Sequence, residues 1–269
     1  MGFLPNYDRA PAEPLPRRQG IRRLFELLGR DFWAFFRAGF LALVGAVPYL
    51  LGMFLAVSSH VLLFALLTGI LGGALAGPQL CGLADTILRA LRDEPGFWWH
   101  TYRRAWKRNA KECLLPGAIL GTLLSMQLFF LLHAGVLELS GGTGAMLAAG
   151  ALITTGLALY VWPQLALMDL SLGKLAKNAA LLFVAQLPRS LGGLACLAVY
   201  GILMLRLFPL STTLLPLTNL WLPAVPALFL IYPGLDSSFA IEETLARRAA
   251  GEEESPDSGS DGPDPSDEG

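Results

Sequence analysis

Six stretches of the sequence, at residues 40–57, 61–83, 114–132, 145–167, 190–207 and 217–231, run for about fifteen to twenty-three positions with almost no ionisable side chain. Runs of that length and apolarity satisfy their backbone polar groups in a bilayer only as helices. Composition agrees: 54% of the 269 residues are hydrophobic and 15% charged, and the mean hydropathy is +0.53. The sequence therefore predicts an all-α membrane protein, about six transmembrane helices in three hairpins, with amphipathic cytoplasmic surface helices at 21–35, 93–117 and 169–187. Pro48 is expected to kink or split the first span, and Pro216, Pro223 and Pro226 to make the sixth irregular. No apolar run behind the N-terminal charges resembles a cleavable signal, so the first span is expected to direct insertion.

Charge divides the chain into three regions. Residues 1–19 are rich in proline and charge and read as a disordered arm, residues 20–250 as the polytopic membrane domain, and residues 251–269 as a disordered tail. The tail carries eight acids and no base, and without it 20 bases face 13 acids. A basic body favours a lipid bilayer with anionic headgroups or acidic protein surfaces as partner, and no nucleic acid is expected. With both termini inside, only Arg206 of the bases lies near the outer side, which fixes a multi-pass topology with cytoplasmic N- and C-termini. Treating the first stretch as re-entrant would place seven arginines outside.

The segment at 93–117 carries the most specific pattern. Trp98, Trp99, Tyr102 and Trp106 recur at helical steps on one face, while Arg103, Arg104, Lys107, Arg108 and Lys111 occupy another arc and Phe97 stands off the aromatic side. Such a helix is expected to lie in the membrane plane, rings at headgroup level and cations toward water or phosphate. The plainer reading is an interfacial helix obeying the aromatic-belt and positive-inside tendencies, and the sharper one a docking surface. These nine residues are the candidate partner- or lipid-contact set. In the second span Ala65, Gly69, Gly73, Gly77 and Cys81 repeat every four residues, and Gly117 and Gly121 repeat the spacing in the third, which marks close helix packing.

The even-numbered spans end alike, with Pro78, Pro163 and Pro233 each followed by an aspartate (Asp85, Asp169, Asp236) and an amphipathic segment. Duplication of a hairpin unit explains this, as does the common use of proline and an N-cap aspartate at helix exits. Cys81, Cys113 and Cys196 show no paired spacing and are expected to be reduced and inert. The mid-span polar residues, Thr68, Ser125, Gln127, Thr154, Thr155 and Asn219, are neutral and suit hydrogen bonding between helices. His60 and His133, with Glu138 nearby, fall at the outer surface, and His100 in the basic segment. Nothing converges as a nucleophile, acid–base pair, metal site or phosphate loop, so no catalytic residue, cofactor or metal is expected and the chain does not read as an enzyme.

The order of Gly77-Pro78, LRALRDE at 88–94, FWWHTYRRAWKRNAKE at 97–112 and YVWPQLALMDLSLGKLAKNAALLFVAQLPRSL at 160–191 resembles the YesL-like family of bacterial polytopic membrane proteins, a domain of unknown function. The resemblance covers most of the chain between its arms, and the long first span and acidic tail depart from it. It implies a bacterial plasma-membrane protein, mostly of Gram-positive organisms, encoded beside carbohydrate ABC importers and glycoside-degrading enzymes, and it supplies no catalytic residues. The expectation is an accessory or regulatory component of carbohydrate uptake, with sugar importer subunits as partners. The alternative is a facilitative pathway for a small neutral solute, whose cavity would reach Asn219 and Trp221. A membrane enzyme, the third reading, would need His100 or Asp85 to gather with other polar groups in a cytoplasmic cleft.

Overall fold

In the computed structural model, which describes residues 20–244 except Pro95 and Asp169, the apolar runs are helical and most helices continue well past them. The helices are α1 (Ile21–Ser59), α2 (Leu62–Leu91), α3 (Trp98–Leu132), α4 (Gly141–Leu167), α5 (Leu172–Ala185), α6 (Leu187–Arg206), α7 (Leu210–Thr218) and α8 (Trp221–Phe239). Five of them are long and apolar enough to cross a membrane, and α7 with α8, bent by 53°, make a sixth if the pair is counted as one broken span. The chain is an all-α membrane protein. The arm at 1–19 and the tail at 251–269 lie outside the described residues.

Two of the three expected surface helices are not separate elements. Residues 21–35 open the 39-residue α1, and the aromatic and basic segment opens the 35-residue α3. At 1.5 Å per residue these span about 58 and 52 Å, so each stands well beyond a hydrocarbon core of about 30 Å. Pro48 and Pro116 sit inside the helices without ending them. A single proline removes one backbone bond, and packing of the helix on both sides of it outweighs that loss. Only α5 is a separate amphipathic helix, burying Leu175, Ala179 and Leu182 while Lys174 and Lys177 are exposed.

α2 and α3 meet along the glycines. A Cβ built on Gly73 would lie 2.4 Å from the Gly117 carbonyl oxygen, one on Gly77 2.5 Å from the Cys113 carbonyl oxygen, and one on Gly121 2.6 Å from that of Gly69. Nothing larger than hydrogen fits, so the two backbones are in contact. Ala65 is buried one turn further on. Within α2, Thr68–Gly72 widens into a π-turn, which the four-residue ridge does not foretell.

The break between α7 and α8 falls at Asn219, not at a proline. Asn219 adopts φ 27°, its Oδ1 accepts the Trp221 N–H at 3.1 Å, and its Nδ2 donates to the Phe36 carbonyl of α1 at 3.4 Å. The side chain lies over Gly39, where a Cβ would come within 2.1 Å of Oδ1. Pro223 falls in the first turn of α8, where a missing N–H costs nothing.

Beyond the spans the structure remains tightly packed. Leu27 and Phe35 of α1, Ile87 and Leu88 of α2 and Leu235 of α8 are almost wholly buried at the same end of the bundle. This end also gathers most of the charge. The repeated aspartates have unlike roles: Asp85 lies mid-helix in α2 beside Arg89, Asp236 accepts the Glu242 N–H at 2.9 Å, and Asp169 is outside the described residues. Asp85 and Asp236 are not equivalent N-caps.

Candidate functional site

The charged end is assembled by the LRALRDE segment. α2 continues through it to Leu91, and the chain then turns at Asp93, which adopts φ 58°. Arg89 bridges Asp85 and Glu94, each at 2.8 Å, and Arg92 reaches Glu94 at 2.7 Å. Asp93 accepts both of its oxygens' bonds from Arg23 Nη2 at 2.6 Å and a further bond from Arg30. Arg30 also donates to the Ala90 carbonyl at 2.9 Å. The turn after α2 is thereby tied to the start of α1.

Burial sets the two aspartates apart. Asp85 is 3% exposed, and desolvation raises its pKa even though Arg89 and Arg92 pull the other way. Desolvation also acts to raise Asp93, but the hydrogen bonds and charges of Arg23 and Arg30 outweigh it and hold this carboxyl below its usual range.

The first four turns of α3 present their aromatic side to the protein, not to lipid headgroups. Tyr102 is 4% exposed, donates to Gln79 Oε1 at 2.9 Å and lies over Gly82, where a Cβ would meet its ring at 2.7 Å. Trp98 and Trp106 are partly buried against the core, and the Arg37 guanidinium sits 5.7 Å from the Trp98 ring centre. Trp99 and Phe97 remain exposed. Tyr102 is thus removed from any contact surface, because a helix continuous with a span must pack one side on its neighbours.

The cations take the other side. Arg103, Arg104, Lys107 and Lys111 are exposed. Arg108 turns toward α4, donating to Asn109 Oδ1 at 3.0 Å and to the Ala166 carbonyl at 2.8 Å. All five cations of the sequence pattern are exposed, and Arg108 is the one of them that also lines a cleft. That cleft, of about 360 Å³, lies between the ends of α2, α3, α4 and α8. A neighbouring cleft of about 320 Å³ contains Arg30, Arg89, Asp93 and Trp98. Sequence reasoning singles out the cations of α3 but misses Arg23, Arg30, Arg89 and Arg92. Arg89 and Arg92 lie in the LRALRDE segment, and Arg23 and Arg30 have local partners in Glu26 and Asp31, but the carboxylate that joins Arg23 and Arg30 into the site, Asp93, is 70 and 63 positions distant.

The other sequence candidates lie elsewhere. His100 is exposed on α3. His133 and His60 pair at the opposite end, Nε2 to Nδ1 at 2.9 Å, with His133 Nδ1 2.8 Å from the Phe129 carbonyl oxygen. Among the described residues no three His, Cys, Asp or Glu side chains gather as a metal site. Cys81 and Cys113 are buried, and Cys196 partly so. Asn219 is fully buried and Trp221 nearly so. The cavity near them, of about 160 Å³, is lined by apolar groups such as Leu83, Trp162, Leu197 and Leu228.

No protein-family model matches the chain, and neither a curated protein nor a solved structure shows significant similarity to it. Fold and site together define a polytopic helical membrane protein with a packed, charged end and an outward cationic row.

Proposed function

We propose that this is a non-catalytic accessory protein of the bacterial plasma membrane, its charged end and both termini cytoplasmic, which docks an acidic partner surface on Arg103, Arg104, Lys107 and Lys111. The observation that carries this reading is the rigid presentation of the row. α3 is one helix from Trp98 to Leu132, with Tyr102 locked on α2 behind the cations. Cations on an already formed helix add no cost of ordering the backbone when a partner arrives, and only their side-chain rotamers have to be fixed. They steer encounter and select partners by charge more than they supply raw affinity. Association with subunits of a carbohydrate ABC importer follows from the resemblance alone, and anionic lipid headgroups compete for the same row.

Affinity purification of the tagged full chain from native membranes in mild detergent, with mass spectrometry of what accompanies it, tests the reading. Importer subunits are expected in stoichiometric amount, released by moderate salt and lost when Arg103, Arg104, Lys107 and Lys111 are all replaced by glutamine. Equal recovery from the substituted protein would sink the docking assignment. A facilitative pathway is less well supported, because Asn219 serves as the cap of a helix break and the cavity near it is apolar.

A further inference from the structure

The cleft between the ends of α2, α3, α4 and α8 has a lining unlike the rest of the surface. Its polar half is made by Asp85, Arg89, Arg92, Glu94 and Arg108, and its other half by Leu167, Met168, Phe239 and Ile241. Three guanidinium groups thus share one space with two carboxylates. Arg89 bridges both acids and Arg92 shares Glu94. Arg108 donates to the neutral oxygens of Asn109 and the Ala166 carbonyl, and its charge also acts on Asp85 across the cleft. Among the groups lining the cleft, guanidiniums outnumber carboxylates by one. Guanidinium forks match tetrahedral oxyanions in geometry, and the apolar half suits an organic group carried beside the charge.

We propose that this cleft binds a phosphate monoester carrying an apolar or small organic substituent, its phosphate oxygens bonded by Arg108 with Arg89 and Arg92 alongside. Two sources offer that chemistry. Ala166 to Met168 close the fourth span, which sets the cleft at headgroup level, where an anionic lipid presents its phosphate. A soluble phosphate ester reaches the same site from the aqueous side. The site shares neither Arg103, Arg104, Lys107 nor Lys111 with the proposed docking row, so it stands or falls independently of that reading.

The test uses the purified full chain in neutral detergent and reads its thermal unfolding midpoint against three probes: dioctanoyl phosphatidic acid, glycerol 3-phosphate and uncharged dioctanoylglycerol. Saturable stabilisation by phosphatidic acid but not dioctanoylglycerol is expected. Stabilisation by glycerol 3-phosphate as well assigns the site to soluble esters, and stabilisation by phosphatidic acid alone assigns it to lipid headgroups. Arg108→Gln should raise the half-saturating concentration about tenfold or more, the loss of a charge-assisted hydrogen bond. Asp85→Asn should lower it, because a competing carboxylate leaves the cleft, and damage to the fold cannot imitate that direction. The proposal is overturned if neither phosphate probe stabilises the protein, if dioctanoylglycerol does so equally, or if both substitutions leave the half-saturating concentration unchanged.

Discussion

Asp85 and Asp93 lie eight residues apart at the end of α2, and their surroundings give them opposite dependence on pH. Burial raises the native pKa of Asp85, so its contribution to stability is full below the unfolded carboxylate value and is lost as pH rises through the native one. Asp85→Asn is therefore expected to be as stable as wild type or more so at pH 7, the difference closing under acid. Asp93 is the reverse case: Arg23 and Arg30 lower its pKa, and its contribution is present above the unfolded value and lost as pH falls through the native one. Asn tolerates the left-handed backbone at this position, so Asp93→Asn isolates the charge. With 30% of the Asp93 side chain exposed, solvent screening limits the expected loss to about 1 kcal/mol at pH 7, shrinking in high salt and below the native pKa. Chemical unfolding of the two variants across pH 3.5 to 8 checks both signs, and a common slope for the pair would contradict the account. Asp85 was legible as a repeated motif, but its burial was not, since the groups that share its cleft come from α3, α4 and the end of α8, far along the chain.

Among the elements, the α2–α3 seam is the contact most directly written in the sequence. Small residues every four positions leave a groove whose occupant must bring a matching groove, and Gly117 with Gly121 supplies it. Gly73→Val would drive a side chain into the Gly117 carbonyl oxygen, and a loss of about 2 kcal/mol or more is expected, read as a lower unfolding midpoint in detergent. Gly201 of α6 has nothing within 4 Å of an added Cβ. Gly201→Ala should thus be neutral or stabilising by up to about 1 kcal/mol; equal penalties at both glycines would remove the case for a close seam. Asn219→Ala leaves the Trp221 N–H without its side-chain acceptor, and a cost of about 1–3 kcal/mol is expected from the same assay. The element boundaries were harder to read. A charged, amphipathic segment beside a span can fold into the membrane plane or prolong the helix, and local periodicity is the same in both. Tyr102 on Gly82 and Gln79, and Asp93 on Arg23, decide for prolongation. Those contacts join residues 20 to 70 positions apart, and no spacing rule exposes them.

For the whole molecule, the bilayer constraint made the class of fold legible, because an apolar run of span length has one way to satisfy its backbone. The distribution of charge made one end of the bundle stand out as well. What the sequence left open was which side of α3 meets the outside, since aromatic rings and cations are both plausible contact groups at an interface. Packing resolves this by burying Tyr102 and leaving Arg103, Arg104, Lys107 and Lys111 exposed. The central claim is that this outward row meets another protein. Site-specific photocrosslinking in native membranes tests it most directly, with a benzophenone amino acid placed at Arg104, at Lys107 and, as a control on a different exposed face, at Leu181 of α5. Discrete protein adducts of one common mass shift from the two α3 positions, and none from Leu181, are the predicted result. Adducts with lipid only, or the same protein adduct from all three positions, would contradict it.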